Sequence, residues 1–263
     1  MERDIESLLN TALTAARKAG EYQKERFLRP TEVFFKGAID LVTDVDRESE
    51  TIILDILREA TPDDVDILSE ETPFNATNAP LLWIVDPLDG TTNYAHGYPC
   101  FSVSIALQEG RDLTLGVVYN SVTGDCYTAV KGKGAFKNGR PLKVSNTARV
   151  EHALLCTGFP YDVGTSRRNN IREFSTVIRR AQGIRRDGSA ALDLCRVAEG
   201  AFDGFWELKL KPWDVAAGVL IAREAGGTVT TLEGAPFDLF ADTILCTNGL
   251  IHEALQILLH EPA

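Results

Sequence analysis

The sequence predicts an α+β protein, and three observations carry that expectation. The first sixty residues hold two amphipathic helical patterns, the middle is a series of short apolar or alternating segments joined by turn-formers, and the second half alternates helix-period segments with short strands. At 263 residues, 44% of them hydrophobic, the chain is long enough for a large core. Residues 1–263 read as one domain, because no repeat, low-complexity tract or Pro/Gly/Ser linker interrupts them.

Taken in order, Ile5, Leu8, Leu9, Ala12, Leu13, Ala16 and Ala19 recur at three- and four-residue spacing and lay an apolar stripe on a helix that ends before Pro30. A second helix is expected from about Asp46 to Ala60, with Ile52, Ile53, Ile56 and Leu57 inward and a stop at Thr61-Pro62. Val65 to Leu68 and Leu81 to Val85 are brief apolar runs bounded by turn-formers and carboxylates, the pattern of buried strands. Phe101 to Leu107, Leu113 to Tyr119 and Cys126 to Val130 read as further strands, and Asn138-Gly139 as a hairpin turn; the short connections favour antiparallel pairing. Beyond them, helices are expected at about 166 to 182, 189 to 199 and 213 to 225, strands near 153, 203, 228 and 243, and a last helix from about 249.

Composition excludes several classes. Against 27 Lys and Arg stand 38 Asp and Glu, a net charge of −11, which gives non-specific nucleic-acid binding little electrostatic support. No apolar run approaches the roughly 18 to 20 residues of a bilayer span, and the acidic start Met1 to Glu6 is unlike a secretory signal. The five cysteines, at 100, 126, 156, 195 and 246, form no Cys-x-x-Cys pair and read as reduced core residues of a cytoplasmic protein. With only four histidines, zinc sites and His-activated nucleophiles have little to build on.

The chemistry is carried by acids. In Trp83-Ile84-Val85-Asp86-Pro87-Leu88-Asp89-Gly90-Thr91-Thr92-Asn93 a buried strand delivers Asp86, Pro87 keeps it extended, and Gly90 allows a tight turn, so two carboxylates project from one rigid corner. Asp86 and Asp89 would cap the helical turn opened by Thr91 and Thr92; that turn would also offer free N–H groups and two hydroxyls to a phosphate. Three further clusters lie at element borders: Asp40 to Asp46, Glu70-Glu71, and Asp214 after Pro212-Trp213. Ordinary helix starts account for Asp44, Asp46 and Asp214 singly. Were Glu70, Asp86, Asp89 and Asp214 to converge, their repulsion would demand cations between them, and an all-oxygen set suits Mg²⁺ better than zinc.

These residues, with Asp40-Leu41-Val42-Thr43, Gly132-Lys133-Gly134-Ala135-Phe136, Asn138-Gly139, Gly188-Ser189-Ala190-Ala191-Leu192 and Trp213-Asp214-Val215-Ala216-Ala217-Gly218, resemble the inositol monophosphatase family over almost the whole chain. The resemblance implies a layered αβαβα sandwich shared with fructose-1,6-bisphosphatase. It also implies a Mg²⁺-dependent, lithium-sensitive phosphomonoesterase, usually a homodimer, that acts on inositol 1-phosphate or a related sugar or polyol phosphate. By the same resemblance Glu70, Asp86, the Leu88 carbonyl and Asp89 would hold metal, and Asp214 would join Asp86 and Asp89 around a second ion. Asp46 and Thr91 would form a hydrogen-bonded pair beside the attacking water, whose proton goes to that pair or to Glu70. Asp89, Gly90, Thr91, Thr92, Arg185, Ser189, Ala190, Glu207 and Asp214 would contact substrate, Glu207 through the inositol hydroxyls; Arg185 and Arg186 equally suit an interface or the surface.

Two departures stand out: Ser69 precedes Glu70 where many relatives carry Gly, and Asp44 is a carboxylate that not all of them have. The motifs report the phosphoryl chemistry and leave the leaving group open, so fructose 1,6-bisphosphate, histidinol phosphate and a nucleotide 3′-phosphate stay as alternative substrates. A role as a partner of the transcription machinery is a further alternative, since some bacterial relatives have one. A haloacid-dehalogenase reading of Leu88-Asp89-Gly90-Thr91 fails because Pro87 stands where its nucleophile would be, and Gly132-Lys133-Gly134 lacks the spacing of a phosphate loop.

Overall fold

The computed structural model describes residues 4–29, 32–35, 41–61, 65–74, 76–77 and 79–261, so Asp40 of the first acidic cluster lies outside the described residues. In chain order the first half forms α1 (Ile5–Arg26), β1 (Val33–Phe35), β2 (Leu41–Thr43), α2 (Asp44–Ala60), β3 (Val65–Ser69), β4 (Leu81–Asp89), α3 (Thr91–Ala95), β5 (Ser102–Glu109), β6 (Asp112–Asn120), β7 (Asp125–Val130), β8 (Ala135–Lys137) and β9 (Arg140–Pro141). The second half forms β10 (Leu154–Thr157), α4 (Ile171–Val177), β11 (Gly183–Arg185), α5 (Ala190–Ala198), β12 (Gly204–Leu208), α6 (Pro212–Glu224), β13 (Thr228–Thr230), β14 (Thr243–Thr247) and α7 (His252–His260).

Strands β3 to β9 make one sheet in sequence order, parallel between β3 and β4 and antiparallel thereafter. A second sheet has the order β11-β10-β12-β14-β13, and β1 pairs with β2 apart from both. Alternation along the strands then sets the layers. Trp83, Val85, Ile105 and Val117 face Ala12, Ala16, Ile53 and Leu57 of α1 and α2. Ile84, Ala106 and Val118, on the opposite face, meet α5 and α6, which Cys156, Phe205 and Cys246 cover from the second sheet. Leu155, Trp206 and Leu245 face outward onto Val177 of α4 and Leu255 and Leu259 of α7. Helices, sheet, helices, sheet, helices is the αβαβα sandwich that the resemblance implies. Burying a side chain such as Ile84 or Phe205 whole contributes about 1.5–3 kcal/mol.

Boundaries differ from the sequence expectation where side chains intervene. Helix α2 begins at Asp44, two residues early, because the Thr43 hydroxyl accepts the Val45 N–H while the Asp46 carboxylate accepts the Thr43 N–H at 2.8 Å. Strand β4 runs through Pro87 to Asp89, past the expected end at Val85, with a register irregularity between Asp86 and Asp89 where proline supplies no ladder donor. The helix expected over 166 to 182 shrinks to Ile171–Val177, since Asn170 before it is left-handed, with φ of 67°. All five cysteines are buried and unbonded to one another. Among the described residues no helix is long and apolar enough to cross a membrane.

Candidate active site

Segments far apart in sequence end at one cavity of about 470 Å³. Glu70 follows β3, Asp86, Leu88 and Asp89 come from the irregular end of β4, and Gly90, Thr91 and Thr92 open α3. Ser189 and Ala190 begin α5, Glu207 lies on β12, and Asp214 sits in the first turn of α6. Every expected site residue lines this space except Asp46, which lies one hydrogen bond behind it, and Arg185.

Gly90 is what lets β4 turn into α3. Its φ is +95°, and a Cβ there would stand 2.9 Å from the Cys100 carbonyl oxygen. The corner is held from behind by Gln23 of α1, whose amide donates to the Pro87 carbonyl at 2.6 Å. Asp89 then joins the two halves of the chain. Its Oδ2 accepts the Ser189 hydroxyl at 2.5 Å and the Ala191 N–H at 2.9 Å, which fixes the start of α5 against β4.

Electrostatics single out the same carboxylates. Asp86 is only 2% exposed, and burial, then the charges of Glu70, Asp89, Asp214 and Asp46, all push its carboxyl well above the usual range. Burial raises Asp89 to about 6 against the donors from Ser189 and Ala191. Asp214 is likewise pushed well up by burial and by Asp89 and Glu70, although its Oδ2 accepts the Lys211 N–H. Of these carboxylates, the three aspartates each turn one oxygen to nearby backbone, Asp86 to the Leu88 N–H at 3.0 Å, Asp89 to α5 and Asp214 to Lys211. In this arrangement no three of them close on a common point at ligating distance, among the described residues. They share a cavity and a mutual repulsion.

Asp46 is fully buried on α2 and accepts the Thr43 hydroxyl at 2.5 Å and the Thr91 hydroxyl at 2.8 Å; burial raises it to about 6 against those donors. The Thr91 oxygen also lies 3.1 Å from the Leu88 carbonyl. A hydroxyl has one proton, so when Thr91 gives it to Asp46 its lone pairs stay free to accept another.

Arg185 corrects the expectation: it is exposed at the end of β11, with its guanidinium 3.4 Å from the Ile184 carbonyl, and does not line the cavity. Arg186 lines it instead, because successive residues of extended chain point to opposite sides. Glu207 is half-buried, and its carboxyl is pushed well up by burial and by Asp193 and Asp214, with Arg186 opposing.

The sequence reading assigned no role to several supports. Asn93 donates to the carbonyls of Cys100 at 2.6 Å and Asp187 at 2.7 Å and so ties α3 to the loop before α5, which Arg196 also grips through Asp187 at 2.6 Å. Gln23 had a signal, being polar at a position that continues the stripe Ala12, Ala16, Ala19. The rim of Phe159 to Asp162, braced by the Lys209 ammonium on Asp162 at 2.7 Å, had none.

The inositol monophosphatase family model matches residues 4–261. The chain belongs to the inositol monophosphatase family. It is 43% identical to the inositol-1-monophosphatase of Synechocystis sp., over 96% of this chain and 88% of that one. It is 41% identical to a Neisseria meningitidis protein named putative Nus factor SuhB, over 95% and 97%. Among solved structures, the inositol monophosphatase from Anabaena superposes with a TM-score of 0.91 at 40% identity, covering 99% of this chain and 98% of that chain.

Proposed function

We propose that this chain is a Mg²⁺-dependent phosphomonoesterase that hydrolyses inositol 1-phosphate or a related polyol phosphate. The observation that carries the reading is the set of Asp86, Asp89, Asp214 and Glu70 around one cavity, buried or half-buried, in which the charges of the neighbours help push Asp86 and Asp214 well above the usual carboxylate range. An all-oxygen, mutually repelling set fits a small hard cation, which keeps waters and takes substrate phosphate beside a few carboxylates. Glu70, Asp86, the Leu88 carbonyl and Asp89 would hold one ion, and Asp214 with Asp86 and Asp89 a second. Bound there, the cations would polarise the phosphoryl group, acidify water and neutralise the leaving oxygen.

The chain's own residues supply the rest. The amides of Thr91 and Thr92, at the turn that Gly90 opens, would receive the phosphate. Thr91 would take the proton of the attacking water as its own proton passes to Asp46; Glu70 is the other candidate base. Asp46 is ionised above about pH 6 and is an acceptor at neutral pH. Glu207 and Arg186, which line the cavity, would face the polyol.

Lithium sensitivity, a homodimer, a cytoplasmic location and action as one catalytic domain complete the proposal. The test is phosphate release from inositol, fructose, histidinol and adenosine phosphates with Mg²⁺, with chelator, and with Mg²⁺ plus lithium. Chelator-sensitive turnover favouring inositol 1-phosphate is expected; no turnover of any compound refutes the reading. The name of the Neisseria relative favours a second role, contact with transcription proteins, which a pull-down with the wild type and an inactive variant would test independently.

A further inference from the structure

Just beneath the polyol end of the cavity lies a buried polar cluster that the phosphoryl chemistry does not use. Asn170, fully buried and left-handed with φ of 67°, donates through Nδ2 to the Thr157 hydroxyl oxygen at 2.7 Å and to the Gly158 carbonyl at 2.6 Å. Its Oδ1 accepts the Trp206 indole N–H at 2.7 Å, and the Thr157 hydroxyl donates to the Trp206 carbonyl at 2.6 Å. Thr157 and Trp206 are register partners across β10 and β12 and are both fully buried. Asparagine tolerates the left-handed conformation better than most residues, and here each of its side-chain polar atoms is matched. The cluster therefore locks the end of β10 to the middle of the parallel strand β12, and the next residue on each is Gly158 on one and Glu207 on the other.

Those two residues touch. A Cβ built on Gly158 would overlap the Glu207 carboxyl, and no other group stands among its nearest neighbours. The φ of Gly158 is not in the left-handed region, so backbone conformation does not require glycine there. What requires it is the space that the Glu207 carboxyl fills.

We propose that Gly158, through its missing side chain, and Asn170, through its bonds to Thr157 and Trp206, are positioning residues that set the Glu207 carboxyl for recognition of substrate hydroxyls. The inference rests on the phosphatase reading and deepens it: selectivity for a polyhydroxylated leaving group over a plain phosphate ester depends on this contact.

Gly158→Ala adds one methyl group against the free end of a flexible side chain, so the fold should survive and the Glu207 carboxyl should give way. The measurement is kcat/KM with Mg²⁺ for inositol 1-phosphate and for 4-nitrophenyl phosphate, in the wild type, Gly158→Ala, Glu207→Ala and the double variant, beside thermal melts. The ratio of the two values should fall about tenfold or more in Gly158→Ala, the loss of one hydrogen bond to a charged group, and chiefly through KM. Glu207→Ala should lower it by a similar factor, and the double variant no further, because both changes remove one contact. Trp206→Phe, which removes the indole N–H together with part of a fully buried ring, should lower the ratio less, and not at all when Glu207 is already Ala. A folded Gly158→Ala with the wild-type ratio, losses that multiply in the double variant, or a Gly158→Ala chain that does not fold would each overturn the proposal. If the wild type turns over neither compound, the phosphatase reading falls first and this inference with it; if it turns over 4-nitrophenyl phosphate but not inositol 1-phosphate, or if the losses multiply, only the inference falls.

Discussion

Replacing Asp89 by Asn should stabilise the metal-free protein while destroying its response to metal. Asp89 is 8% exposed, and its carboxyl is displaced from 3.8 to about 6, first by burial. Because the folded-state value lies above the unfolded one, the protonated carboxyl favours the fold. That advantage is complete below about 3.8 and is lost as pH rises through about 6, so at pH 8 the metal-free fold carries a charge that costs about 3 kcal/mol. Of the donors around Asp89, the Ser189 hydroxyl and the Ala191 N–H reach the same oxygen, and an Asn amide oxygen in that place accepts both. Asp89→Asn should therefore gain about 1–3 kcal/mol in chelator at pH 8, allowing for the weaker acceptor, which raises Tm by about 2–4 °C per kcal/mol. Thermal melts in chelator at pH 8 and pH 5 read this directly, and at pH 5 the gap should narrow because wild-type Asp89 is then largely protonated. Added Mg²⁺ should reverse the order, since only the wild type gains binding free energy. A variant that melts below the wild type in chelator at pH 8, or that responds to Mg²⁺ equally, would refute both the repulsion and the ligand role.

Three other substitutions probe the supports. Thr91→Val removes the hydroxyl that bonds Asp46 at 2.8 Å; phosphate release should fall about 10²- to 10⁴-fold while the Mg²⁺-induced rise in Tm persists, as paired kinetics and melts would show. Gly90→Ala forces a side chain into φ of +95° and against the Cys100 carbonyl, which should cost about 1–3 kcal/mol in the urea unfolding midpoint. Ser69→Ala takes a donor from the buried Glu50 carboxylate and should lower stability by about 1.5–3 kcal/mol in the same titration.

The layers and the acid set were legible because both depend on local patterns. The stripe of α1 and the alternation in β5 and β6 announce which faces are buried, and Asp86 to Thr92 are so close in sequence that one turn delivers them together. What was not legible depends on partners elsewhere in the chain. The start of α2 is set by the reciprocal bonds of Thr43 and Asp46. The start of α4 depends on a left-handed Asn170 whose three partners come from β10, the residue after it, and β12. Arg185 and Arg186 are equivalent as sequence, and only the direction of β11 gives the cavity to Arg186.

The two departures from the family pattern, Ser69 and Asp44, left loop geometry and substrate range open, and their contacts are local. The Ser69 hydroxyl donates to Glu50 of α2, which also accepts the Glu71 N–H at 3.1 Å and the Thr72 hydroxyl at 2.7 Å. A glycine at 69 would supply no such donor, so here the strand end that presents Glu70 is fastened to α2 by side chains as well as by the backbone. Asp44 pairs with Arg26 of α1 at 2.9 Å and accepts the Glu32 N–H at 3.1 Å. Neither residue lines the cavity. The extra carboxylate thus belongs to the joint between α1 and α2, and the extra hydroxyl to the brace behind Glu70. Both act on how firmly the acidic corner is held, while Glu207 and Arg186, which line the cavity, come from the opposite half of the chain.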